Sequence, residues 1–207
     1  MKITTCIVLA GAMLALDAHA GSHAEPVTDP AELAALGLPP DAIGAMRLVG
    51  SAGAPAGPRG SGTPHAVTGD DFKMASSDSA YHTDGRSHLW CPAGESFRIA
   101  SAAIDVPAGR RFAYLDLWGV DESATNDITA ILYSTCHPPG GPGGPSNMVL
   151  ASVTSDGAPG AFFAYATIPD HAADPAHCTY SINLLLGASG TCEGTALVLH
   201  KVRVVSD

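Results

Sequence analysis

Residues 110–136 read RRFAYLDLWGVDESATNDITAILYSTC, and this stretch decides the fold. Two apolar runs, 112–120 and 128–133, bracket a turn made of Asp, Glu, Ser, Thr and Asn. Apolar runs of this length, rich in β-branched and aromatic residues and split by turn formers, read as strand, turn, strand. Working outward, the same texture recurs. Candidate strands fall at 87–91, 96–106, 111–120, 127–136, 148–154, 161–168, 179–186 and 195–205. Pro107-Ala108-Gly109, the 138–145 loop and the Gly-rich 187–194 segment lie among the breaks. Short strands at regular spacing with no long helical period indicate an all-β, antiparallel β-sandwich or jelly-roll-like single domain over 70–207.

Upstream of that domain the composition changes. Residues 1–20 carry Lys2, an apolar stretch and the small-x-small sequence Ala18-His19-Ala20, which reads as a secretory signal peptide cleaved after Ala20. No later apolar segment approaches the roughly 20 residues of a membrane span. Residues 21–69 are rich in Ala, Gly and Pro and read as a flexible, mostly irregular N-terminal arm. A short helix over AELAAL fits there, with Asp29 as cap and Pro30 at the first helical position. The expected location is therefore exported, periplasmic or extracellular.

Beyond the signal, Cys91, Cys136, Cys178 and Cys192 remain. An even count without a close C-x-x-C pair favours disulfides over metal binding in an oxidising compartment. If the strands run as a meander, alternating up and down, Cys136 and Cys178 fall at one end of the domain. Cys91 and Cys192 fall at the other. Residues 178 and 192 would be separated by a strand of roughly 25 Å, too far to bridge. The pairs expected are Cys136–Cys178 and Cys91–Cys192, each stabilising by about 3–5 kcal/mol in the chain-entropy picture.

A net charge of −10 disfavours nucleic acid, which needs basic side chains against its phosphates. The acidic turn supplies Asp121, Glu122, Asn126 and Asp127, oxygen donors of the kind calcium takes, although such residues also serve ordinary turns. No cofactor is expected, and Ca2+ is the candidate this turn would take. His137 and His177 flank the Cys136–Cys178 pair, with Asp170 and Asp174 near, and such a group could hold zinc or copper. Tyr114 and Trp118, with Asp116 between them and Tyr133 on the following strand, form an aromatic and polar set suited to stacking on sugar rings. Core or interface packing would use the same rings. Strand 112–120 is apolar on both faces, with Phe112, Tyr114 and Trp118 opposite Ala113, Leu115 and Leu117, so it needs a second cover. That cover would be the arm, another subunit or a ligand, which makes a homo-oligomer expected and a glycan or small ligand a candidate partner.

Catalytic signatures are absent. There is no G-x-S-x-G elbow and no H-E-x-x-H. A small secreted hydrolase acting on glycosides would need carboxylates about 5–9 Å apart, a distance Asp116 and Asp127 could approach if their strands are adjacent. The reading preferred is a non-catalytic protein acting by binding or self-assembly. A carbohydrate- or calcium-binding module is the rival.

The segment 104–132 resembles a pattern of exported bacterial β-sandwich proteins of uncharacterised role. Its marks are Val106-Pro107-Ala108-Gly109, the aromatic strand through Tyr114 and Trp118, the polar turn from Asp121, and the strand opening at Asp127. Late strands 180–186 and 197–205 extend the likeness over about residues 90–207. The resemblance implies a sandwich fold and carries no catalytic residues.

Overall fold

The computed structural model describes residues 47–50, 62–75, 79–84, 87–97, 99–137, 144–155, 159–187 and 191–207, the first four by backbone alone. The signal peptide expected over 1–20 and the helix expected in the arm lie outside the described residues.

Two sheets pack face to face. Their strands are β1 Arg47–Gly50, β2 Thr63–Thr68, β3 Lys73–Met74, β4 His82–Thr83, β5 Leu89–Cys91 and β6 Ala100–Ile104. They continue with β7 Phe112–Asp121, β8 Ile128–Cys136, β9 Ser146–Thr154, β10 Gly160–Thr167, β11 Cys178–Leu186 and β12 Gly194–Ser206. The first sheet runs β1-β10-β7-β12-β5-β4, with β2 also beside β12, and the second runs β3-β6-β11-β8-β9. The orders β5-β12-β7-β10 and β6-β11-β8-β9 are those of an eight-stranded jelly roll. All eight strands expected from the sequence are present. β1 and β2 add two strands inside the segment read as an arm, so the sheet begins before residue 70.

The meander itself does not hold. Among the described strands, chain neighbours are sheet neighbours only at β4–β5 and β8–β9; the other connections change sheet or pass over intervening strands. Direction still alternates from β6 to β12, because β7 is antiparallel to β10 and β12, and β11 to β6 and β8. The cysteine argument needed only that alternation. Cys91 bonds Cys192 with Cα atoms 5.5 Å apart, and Cys136 bonds its register partner Cys178 at 4.0 Å.

Alternating side chains from each sheet meet in one core. Leu115, Leu117, Phe162, Leu199, Val202 and Val204 face Ala102, Ile128, Leu132, Ile182 and Leu184. Two bulges between β7 and β12 adjust this pattern. Near Ala113 the β7–β12 register shifts, and Phe112 joins the core 4.8 Å from the Tyr180 ring, away from the face of Tyr114 and Trp118 to which simple alternation assigned it. A second shift between Leu199 and Lys201 sits beside Gly119, where an added Cβ would stand 2.5 Å from the Val198 carbonyl oxygen.

Candidate functional site

Strand β7 is central in its sheet, and its outward face carries Asp116 and Trp118. Asp116 is 0% exposed and accepts two hydrogen bonds at Oδ2 from Arg203 on β12, at 2.9 Å from Nε and 2.7 Å from Nη2. Trp118 is 1% exposed. Its ring lies 4.7 Å from Phe163 of β10, with Lys201 Nζ at 4.4 Å and the Arg203 guanidinium at 4.8 Å. Burial pushes the Lys201 ammonium below its ordinary pKa, and repulsion from Arg203 adds to this. Among the described residues the indole N–H has no hydrogen-bond partner. Long side chains from β10 and β12 thus supply cover to the doubly apolar strand. Trp118 is a packed ring here, not an open stacking surface, and Tyr114 beside it is half-buried.

Tyr133 does not join this group. β8 belongs to the other sheet, so Tyr133 points out of the opposite side of the sandwich. The same crossing separates Asp116 from Asp127, and Asp116 is occupied by Arg203.

At the acidic turn each donor has a defined place. Asp121 is 0% exposed; its carboxylate accepts from Ser123 N at 3.0 Å and from the Ser155 hydroxyl, whose oxygen in turn accepts from Ile128 N at 2.9 Å. The end of β9 is thereby tied to the turn. Ser123 Oγ accepts from the backbone of Thr125 and Asn126 at 3.1 and 2.9 Å. Asn126 donates to Glu193, Glu122 N donates to Ala196 O at 2.7 Å, and the Asp127 carbonyl accepts from Gly187 N at 2.8 Å. Hydrogen bonds from Ser123 and Asn126 hold the Glu193 carboxyl below its usual range. Sequence reading missed Glu193. It follows Cys192, which strand alternation had already placed at the turn's end of the molecule.

At the opposite end, His137 N donates to His177 O at 2.8 Å, so the two histidines do meet through their backbones. Their neighbours are otherwise engaged: His177 Nδ1 lies 2.8 Å from Asp174, and Asp170 pairs with Arg111. Among the described residues no three His, Cys, Asp or Glu side chains gather as a metal site requires. Nor does any described helix have the length and apolarity to cross a membrane.

The outward face of the second sheet has a different chemistry. Cross-strand rows there read Ala103–Ser181–Tyr133–Val149, Ser101–Asn183–Ile131–Ser152, Thr179–Thr135–Asn147 and Leu185–Thr129–Thr154. None of these side chains is charged at neutral pH. Lys73 on β3 and Asp105 after β6 border the face. Its polar groups pair with one another, Ser101 donating to Asn183 at 2.6 Å and Thr135 to Asn147 at 2.8 Å, with Thr129 and Thr154 3.1 Å apart. At one end lies a groove of about 440 Å³, lined by Ala103, Asp105, Pro107, Pro175 and Thr179 among others.

No family model matches the chain and no curated protein matches it. Among solved structures it is similar to a family two carbohydrate esterase from Cellvibrio japonicus, at 9% identity and a TM-score of 0.35. That match covers 70% of this chain and 34% of the esterase.

Proposed function

We propose that this is an exported protein that acts by binding, and that its working surface is the outward face of the β6-β11-β8-β9 sheet. The ligand class best suited to it is a neutral, polyhydroxylated polymer such as a glycan. One observation carries the reading: a chain of net charge −10 keeps four adjacent strands free of charge on their solvent side. A neutral sugar polymer needs rows of hydroxyl and amide groups for its own hydroxyls and a flat ring for its apolar faces. The rows of Ser, Thr and Asn supply the first, and Tyr133 supplies the second. A broad sheet face also suits an extended chain better than a small molecule. The aromatic residue thus enlisted is Tyr133, with Trp118 committed to packing on the other side. Binding without chemistry fits the commitment of Asp116 to Arg203 and of Asp121 to Ser155. The disulfides fit an oxidising compartment outside the cytoplasm.

Affinity electrophoresis through gels containing neutral β-glucan, xylan, mannan or galactan tests this. At least one polymer should retard the protein, and Tyr133→Ala and Ser181→Glu should each abolish retardation with unchanged circular dichroism. Unretarded migration through all four, or retardation untouched by both substitutions, would sink the proposal.

A further inference from the structure

We propose that β9 is an interface strand that pairs, edge to edge and antiparallel, with β9 of a second copy of this chain. The inference stands on strand order and exposure and is independent of the carbohydrate reading.

Open sheet edges present unpaired backbone N–H and C=O groups, and proteins guard them with shortness, charge, proline or a bulge. Four edges here are guarded. β1 spans four residues, β2 carries Pro64, β3 spans two and contains Lys73, and β4 spans two. The fifth edge is different. β9 is nine residues long and reads Ser-Asn-Met-Val-Leu-Ala-Ser-Val-Thr, without a charge or a proline. One side pairs with β8, and among the described strands none pairs with the other. Its guard is a bulge between Val149 and Ala151, which bends the strand at its middle and leaves 146–149 regularly paired ahead of it. Ahead of it, Met148 and Val149 are 55% and 53% exposed, two of the three large hydrophobic residues most open to solvent among the described residues.

Self-complementarity identifies the occupant: an open antiparallel edge offers a second copy of itself the matching N–H and C=O groups. Two copies that each carry −10 repel, so a contact between them is least opposed where carboxylates are missing. β9 and the face beside it form such a place. A twofold axis lets one uncharged strand serve as both halves of the contact. Met148 and Val149 of each copy then cover their counterparts. Two five-stranded sheets become one of ten strands, and the uncharged face doubles in length.

Light scattering on the mature protein, from micromolar concentration upward in 0.15 M salt, should give twice the chain mass. Val149→Lys should return the mass to that of one chain with unchanged circular dichroism, since the side chain is exposed. Amide exchange supplies a readout that needs no variant: protons of 146–149 should exchange more slowly as concentration rises. A monomer at every concentration would overturn the proposal. So would a dimer that survives Val149→Lys with exchange at 146–149 unaltered.

Discussion

Asp116 and Arg203 show how a residue read as exposed turns out to be structural. Both lie at outward positions of their strands, where alternation alone suggests solvent or ligand, yet the carboxylate is fully buried against the guanidinium. Sequence parity reports which side of a sheet a residue leaves by, and says nothing of which long side chains on neighbouring strands will close over it. Removing one member of such a pair strands the other charge in a dry site. Asp116→Asn should therefore lower unfolding free energy by about 3–5 kcal/mol in urea titration, and exchanging both residues for apolar ones of similar size should cost much less. A second residue-scale effect concerns His200, stacked 4.1 Å from His88, which in turn sits 3.0 Å from Asp84. Burial, then the charge of His88, lowers the pKa of His200 to about 4, with Asp84 opposing. In the unfolded chain the ring titrates near 6.5, so between 6.5 and 4 unfolding takes up a proton. Stability from this group is complete above about 6.5, declines as pH falls through that window, and changes no further below 4. Urea midpoints at pH 7, 5.5 and 4 should fall less in His200→Gln than in the wild type; equal slopes would remove His200 as the cause.

The strands themselves were the most legible elements, because period-two alternation and turn residues act within a few positions of each other. Tyr180, Ile182, Leu184 and Leu186 were visible as one buried face of β11, and all four are buried. What local pattern cannot encode is which strand lies next door. Tyr133 was therefore placed beside Trp118, although β7 and β8 belong to opposite sheets. Bulges defeat parity in the same way, since one extra residue near Ala113 turned Phe112 into the core. The cysteines were decided by direction alone, which survives sheet crossing. Their partners span sequence separations of 101 for Cys91–Cys192 and 42 for Cys136–Cys178. In the chain-entropy picture the longer loop stabilises by about 4.7 kcal/mol and the shorter by about 4. Double alanine replacement of each pair should lower urea midpoints in that order, by amounts that differ little. A loss well under 1 kcal/mol for either pair would mean that the ladder holds those ends together without the bond.

For the whole molecule, a charge of −10 on a chain with only 10 Lys and Arg sets the terms of any association. The class of fold and the acidic balance could be read from the sequence. The separation of that charge from one face of one sheet could not, because it depends on which strands share the sheet. If copies join through β9, the contact is uncharged while the bodies behind it repel. At 0.01 M salt the screening length is about 30 Å, comparable to the molecule, and repulsion acts across the whole pair. At 0.15 M it falls to about 8 Å, and only charges close to the contact still oppose it. The dimer fraction at fixed protein concentration should therefore rise steeply between these salt concentrations and then level off. An interface built on complementary charges would behave in the opposite way, weakening as salt is added. Sedimentation equilibrium across that series distinguishes the two: dissociation by salt would place the contact on the charged surfaces, and association by salt on the uncharged edge.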